Sequence, residues 1–255
     1  MSTAAIILAA GKGTRMKSDK PKVLHEVCGR PMLAYVVDAC RAAGCQPVIG
    51  VIGHQADRVR EVFAGADPPI RWAEQSPQLG TGHAVMCCGE ELAELAGEVI
   101  VLAGDGPLIR PETLQQLLDT HRSEQAACTL ATCVMDDPAR NGRIIRDEQG
   151  KLLGIVEYLD ATEAQREINE VNVSMYCFDA AALRHALGKI TNDNAKGEYY
   201  LTDTLKILAA EGKPLAAVAA VPVEEAMGIN TLDDLQQVEQ MMRQRDADRE
   251  GTDGR

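Results

Sequence analysis

The feature that most limits what this chain can fold into is a rhythm of short apolar runs alternating with longer, helix-patterned stretches. Ala4–Leu8 is the first run, and Met32–Ala43 then carries apolar residues at helical spacing and stops at Gly44. Val48–Ile52 is followed by a helix over Asp57–Phe63, and Ile70–Ala73 by a helix over Ala84–Leu95. Glu98–Asp105, apolar between its two terminal acids, is followed by a helix over Pro111–Arg122, with proline at the first helical position. Ala127–Met135 is a further strand. Strands that alternate with helices in this way predict βαβ units and a doubly wound, mostly parallel α/β sheet.

After Asp136 the rhythm changes. "NGRIIRDEQGKLLGIVEY" reads as a hairpin turning at "DEQG", and "VNVSMYCF" (Val171–Phe178) as a strand. Helices over Ala180–Leu187 and Thr202–Glu211, a strand over Ala216–Val221 and a helix over Leu232–Arg243 follow. The polar residues from Asp246 to Arg255 are expected to be disordered. The reading is one domain over 1–245 with halves at 1–136 and 137–245, the second containing a small β-rich lobe. No internal repeat is found, and in particular no hexapeptide repeat of the β-helix type.

A length of 255 residues is ample for such a core, which an aromatic share of 3% leaves to Ala, Val, Leu and Ile. The formal charge of −12 argues against a general nucleic-acid binder or a polybasic membrane surface. The eight cysteines form no CxxC pair and accompany no zinc-spaced histidines, so they read as free thiols of a reducing compartment. With neither a signal-peptide pattern nor an apolar run of the ~20 residues needed to span a bilayer, a cytoplasmic location is expected.

Against that acidic background, Lys12, Arg15, Lys17, Lys20 and Lys22 surround one glycine turn, "GKGTRMKSDKPK", directly behind the first strand. Glycines let backbone N–H groups approach phosphate oxygens, and Arg or Lys neutralises them. The turn is not a P-loop, which needs GxxxxGK[ST], and the dinucleotide fingerprint GxGxxG fails at Met16. It does fit the pattern GxGTR followed by PK.

The longer stretch "LAAGKGTRMKSDKPKVLHEVCGRPML" resembles the signature of the sugar-phosphate nucleotidyltransferases, in particular the N-acetylglucosamine-1-phosphate uridyltransferases. "QSPQLGTGHA", "GDGPL", "GRIIR", "GIVEYLDAT", "EVNVSMYCF", "NDNAKGEYYLTD" and "GIN" extend the resemblance in the same order over about residues 3–240. It implies a Rossmann-like nucleotidyltransferase in which a sugar 1-phosphate oxygen attacks the α-phosphorus of UTP and releases pyrophosphate. Carried over position by position, Leu8, Ala9, Ala10 and Gly11 line the uracil and ribose site, while Gln75, Gly80 and Thr81 read the base. Gly11, Gly13 and Thr14 offer backbone donors to the triphosphate, and Arg15 and Lys22 balance the developing charge. Asp105, next to Gly104 at the end of an apolar strand, and Asn230 are the implied ligands of Mg²⁺, a hard cation suited to oxygen donors and substrate phosphates. Gly142, Glu157 and Asn172 hold the amino sugar of N-acetylglucosamine 1-phosphate.

Lys12, Lys17 and Lys20 read equally as a steering field or as solvated charges. His25 and His83 read as structural, since an anionic phosphate nucleophile needs no general base. The departures from the family pattern all fall on the sugar side: Leu159 where a lysine is usual, Val173 and Ser174 where Thr-Gly is common, and Asn141 where an aromatic often stands. A leucine at 159 is expected to weaken sugar-phosphate binding by removing a cation. The family's usual acetyltransferase β-helix is not encoded here, so that activity is expected to be absent. Two rivals remain: a transferase for another sugar 1-phosphate, and a nucleotide-sugar sensor without turnover. Retention of Arg15, Lys22, Asp105 and Asn230 together speaks against the sensor. Oligomeric state is left open.

Overall fold

The protein was analysed as a computed structural model in which residues 2–219 and 221–253 are described. Its strands are β1 (Thr3–Leu8), the two-residue pair β2 (Glu26–Val27) and β3 (Arg30–Pro31), β4 (Val48–Ile52), β5 (Arg71–Glu74), β6 (Glu98–Ala103) and β7 (Cys128–Val134), followed by β8 (Arg143–Arg146), β9 (Leu152–Val156), β10 (Glu170–Asp179) and β11 (Leu215–Val218). Its helices are α1 (Met32–Ala42), α2 (Ala56–Val62), α3 (Thr81–Met86), α4 (Gly89–Glu94), α5 (Pro111–Ser123), α6 (Glu163–Arg166), α7 (Ala180–Leu187), α8 (Asp203–Ala210) and α9 (Leu232–Asp253).

The expected helix over Ala84–Leu95 is two helices, α3 and α4, because Gly89 takes φ +40° and turns the chain between them. The predicted hairpin forms as β8–β9, its turn closed by the Asp147 carboxylate, which accepts from the backbone N–H of Gln149 (3.0 Å) and Lys151 (2.8 Å). Residues 246–253, expected to be disordered, continue α9; Gly254 and Arg255, with Ala220 of the expected strand 216–221, lie outside the described residues. Among the described residues no helix is long and apolar enough to cross a membrane.

One sheet of nine strands runs β11-β7-β10-β6-β1-β4-β5, with the β8–β9 hairpin attached to β10. β1 pairs in parallel with β4 and β6, β4 with β5, and β7 with β11. Only β10 breaks the direction within this row: it lies antiparallel between β6 and β7. Period-two alternation sorts the buried side chains to the two faces. Ala5 and Ile7 of β1 face α1, α2, α5 and α9, whereas Ala4 and Ile6 face α3, α4, α7 and α8. The result is a three-layer α/β/α packing in which the central strands are buried on both sides and so read as continuous apolar runs.

Strand order reverses at β1. The chain builds outward through β4 and β5, then returns to β6 on the other flank of β1. Ligands of open α/β sheets bind beyond the carboxyl ends of the strands at such a switch point. The glycine turn leaves β1, and Asp105 follows β6, on the two sides of that crevice.

Candidate active site at the switch point

A cavity of about 350 Å³ opens there. It is lined by Leu8, Ala9, Ala10 and Gly11 from the β1 turn and by Gln75, Gly80 and Thr81 from the end of β5 to the start of α3. Lys22, Asp105, Glu157 and Asn172 complete the expected part of the lining. The remaining expected residues lie outside the lining and act on those within it or beside it.

Gly13 is one of these. At φ +62°, a Cβ there would stand 2.6 Å from the Cβ of Lys22, so glycine permits the turn to close against Pro21–Lys22. Thr14 starts a short 3-10 turn, Thr14–Met16, that buries Met16 and leaves Arg15 exposed. Arg15 then reaches across the crevice, its guanidinium donating to Asn230 Oδ1 at 2.8 Å. Lys22 Nζ donates to the same oxygen at 2.7 Å and to Asp105 Oδ2. Asn230 is free for this because its neighbours cap α9: Asp234 Oδ2 accepts from the N–H of Asn230 and Thr231, and Thr231 Oγ1 accepts from Asp234 N. Asp105 is tied to the same segment by Ile229 N–H donating to its carbonyl at 2.9 Å. The "GDGPL" and "GIN" motifs are therefore one structural unit, and Asn230 and Asp105 line a second, adjoining cavity of about 230 Å³.

The oxygen donors fit a hard cation. Asp105 and Asn230 converge on one positively charged nitrogen, and Asn230 Nδ2 donates to Gly228 O at 3.1 Å, which turns its oxygen inward. Among the described residues no cluster of three or more His, Cys, Asp or Glu could hold a metal without outside ligands. Two protein oxygens leave most positions to substrate phosphates and water, as Mg²⁺ prefers.

Between β5 and α3, Gln75 is buried and donates to Gly80 O at 2.9 Å while lying 3.0 Å from His83 Nδ1. His83 thus holds Gln75 in place, and His25 packs with its Nε2 buried and unpartnered. Burial pushes the His25 pKa down. Lys20 pairs with Glu26 on the surface at 2.9 Å, and Lys12 and Lys17 are exposed. All eight cysteines are free.

Beyond β9, Glu157 accepts from Thr202 Oγ1 at 3.0 Å. Burial raises its pKa against the opposing effects of that hydrogen bond and of Lys196. Asn172 donates to Tyr176 Oη at 2.6 Å, and its Oδ1 accepts from Ser174 N–H at 3.0 Å. Gly142 serves through its backbone, its carbonyl accepting from Asn172 N–H at 2.9 Å. Between Asn172 and Tyr176 β10 bulges, with Ser174 in the left-handed region at φ +57°. A bulge beside a site re-aims side chains, and this one turns Asn172 and Ser174 into the cavity. That backbone explains why glycine is common at position 174 in the sequence family resembled.

Leu159 is 49% exposed and stands outside the cavity lining. Sequence reasoning also missed residues that do line the cavity. Gln78 donates to Ala10 O at 2.5 Å and clamps the β1 turn. Glu198 reaches the rim on a turn organised by Asn194, whose Oδ1 accepts from Lys196 and Glu198 N–H, each at 3.2 Å. That segment is stitched to the Gly80 turn, with Gly82 N–H donating to Tyr199 O at 2.8 Å and Leu201 N–H to Thr81 Oγ1 at 3.0 Å. The signal was present in "NDNAKGEYYLTD", but no local chemistry distinguishes its acid from a surface residue.

The chain is 47% identical over 244 residues to the Bifunctional protein GlmU of Pelobacter propionicus, covering 96% of this chain and 53% of the relative. The GlmU of Geotalea daltonii is 48% identical over 227 residues, 89% of this chain and 50% of the relative. The chain thus spans about half the length of the curated relatives it matches. Among solved structures it superposes with a TM-score of 0.76 and 19% identity on one assigned as a glucose-1-phosphate thymidylyltransferase from Bacillus anthracis, covering 95% of this chain and 96% of that one. A UDP-glucose pyrophosphorylase complexed with UDP-glucose gives 0.76 at 16% identity, covering 96% and 100%. At such identities these two speak for the fold alone, a Rossmann-like nucleotidyltransferase architecture. The phosphate-type glycine turn at the switch point and a family match over residues 5–197 agree: the chain belongs to the MobA-like NTP transferase domain family.

Proposed function

We propose that the chain transfers the uridylyl group of UTP to N-acetylglucosamine 1-phosphate, forming UDP-N-acetylglucosamine and pyrophosphate. One observation carries the reading: a single cavity is lined by the glycine turn, the Lys22–Asp105 pair, and Glu157 with Asn172. A nucleotide sugar presents three parts to match, a base, phosphates and a sugar. The similarity to the GlmU proteins over nearly the whole chain supports it. Residues 1–136 form the nucleotide half and 137–245 the sugar half. The product would feed peptidoglycan synthesis, and the reaction would run in the cytoplasm.

The acceptor's phosphate oxygen attacks the α-phosphorus as the bond to the bridging oxygen of the β-phosphate breaks, and pyrophosphate leaves with that electron pair. The nucleophile is already anionic, so the chain supplies no base. Its work is positioning and charge neutralisation. Gln75, with the backbone of residues 8–11, Gly80 and Thr81, orients the base and ribose. Backbone N–H groups of Gly11, Gly13 and Thr14, with Arg15 and Lys22, take the phosphates. Glu157 accepts hydrogen bonds from sugar hydroxyls, and Asn172 and the Gly142 segment fix the acyl-amino sugar. Asp105 and Asn230 would hold Mg²⁺, which when bound would neutralise phosphate charge.

A panel of UTP, CTP, dTTP and ATP against N-acetylglucosamine, glucose and galactose 1-phosphates, read by pyrophosphate release, tests this. The expected result is the highest kcat/KM for UTP with N-acetylglucosamine 1-phosphate. A better pair elsewhere in the panel overturns the substrate assignment, and binding without release supports the sensor. A different sugar 1-phosphate is the second reading, favoured by Asn141, Val173 and Ser174, which line the adjoining cavity and depart from the family pattern.

A further inference from the structure

The two oxygens assigned to a metal ion already hold a cation. Lys22 Nζ donates to both Asp105 Oδ2 and Asn230 Oδ1, the latter at 2.7 Å, and Arg15 adds a second donor to Asn230 at 2.8 Å. The side chains of Lys22 and Asp105 are only 12% and 25% exposed, so water screens the pair poorly. Nothing in the approach is accidental: Gly13 leaves the space that the Lys22 stem occupies, and Ile229 N–H pins the Asp105 backbone beside Asn230.

A divalent ion needs those same oxygen lone pairs at about 2.0–2.1 Å. The ammonium competes for Asp105 Oδ2 and Asn230 Oδ1, and its repulsion opposes an ion approaching the remaining Asp105 oxygen as well. A triphosphate offers Lys22 several anionic oxygens in place of one carboxylate and one amide, and lysine binds phosphate well as a compact point charge.

We propose that Lys22 is the resident counter-cation of the metal site. Without nucleotide it neutralises Asp105 and keeps divalent metal out. Nucleotide phosphates draw the ammonium away and thereby open Asp105 and Asn230, so metal enters with the nucleotide or after it, not before. The inference rests on Asp105 and Asn230 being the metal ligands.

The test is Mn²⁺ binding to the nucleotide-free full chain, followed by electron paramagnetic resonance of free Mn²⁺ and by titration calorimetry. The wild type should bind weakly, and Lys22→Met should bind at least tenfold more tightly. Lys22→Gln removes the charge but retains a polar side chain, and should match Lys22→Met. Adding Asp105→Asn to Lys22→Met should abolish the gain. Circular dichroism and the melting temperature check that each variant is folded. If Lys22→Met and Lys22→Gln bind no more tightly than wild type while Asp105→Asn still weakens binding, the metal assignment stands and the role of Lys22 is overturned. If Asp105→Asn changes Mn²⁺ binding in neither background, the metal assignment fails and the proposal falls with it.

Discussion

Replacing Gly13 with alanine should separate the two jobs of the glycine turn. The alanine Cβ would meet Lys22 Cβ at 2.6 Å, Cγ at 3.2 Å and Cα at 3.5 Å, so the Lys22 backbone itself must move, by about 1 Å, to restore ordinary contact. The residue would also keep φ near +62°, which costs an L side chain roughly 1–2 kcal/mol. For a chain of this size that corresponds to a fall of roughly 2–8 °C in melting temperature. The functional loss should be larger in proportion, because a misplacement of about 1 Å can cost on the order of 100-fold in rate. The displaced group is the one that contacts both Asp105 and Asn230. The assay is pyrophosphate release at a temperature well below the transition, with thermal unfolding in parallel. Gly11→Ala is the stability control, since its Cβ meets nothing within 4 Å and its melting temperature should not change. A folded Gly13→Ala protein with wild-type kcat/KM would refute the coupling between this turn and Lys22.

Arg15→Ala removes the donor that lies 2.8 Å from Asn230 and should lower kcat about 10- to 100-fold, in line with about 1.5–3 kcal/mol for a charge-assisted hydrogen bond; a rise confined to KM for UTP would mean uniform binding instead. Glu157 holds its proton more tightly when folded, chiefly through burial. Between the ordinary carboxylate range and that raised value the native state therefore binds more protons than the unfolded one, and stability falls as pH rises. Glu157→Gln should flatten this slope in melting temperature against pH, and an unchanged slope would count against the assignment. Leu159→Lys should leave KM for the sugar phosphate within about twofold, because Leu159 is half exposed and away from the cavity; a clear decrease would return position 159 to the substrate.

Strands and helices of the parallel half were legible because each is buried on both faces or on one stripe, so hydrophobic periodicity carries the information locally. Val48–Ile52 and Ala180–Leu187 match their elements end to end. The misreadings arise where one residue's backbone overrides the pattern. Gly89 divides an otherwise continuous helical stretch. The glycine turn was legible for a related reason: its residues sit in one short stretch with a distinctive order of glycines and cations. The rest of the cavity lining was not, since Glu157, Asn172 and Glu198 come from three segments and none has a local pattern of its own.

By itself the sequence determined the βαβ alternation, the phosphate-type turn behind β1 and the acid at the end of β6, because these depend on neighbours within a few residues. Only the tertiary structure decided that β10 enters antiparallel between β6 and β7, that its bulge at Ser174 aims Asn172 into the cavity, and that Leu159 is half exposed outside the lining. It alone joined Lys22, Asp105 and Asn230. The physical reason is that hydrogen bonds and charge act over a few ångströms of space, and the sequence separation of 208 between Lys22 and Asn230 vanishes only when the sheet closes the crevice.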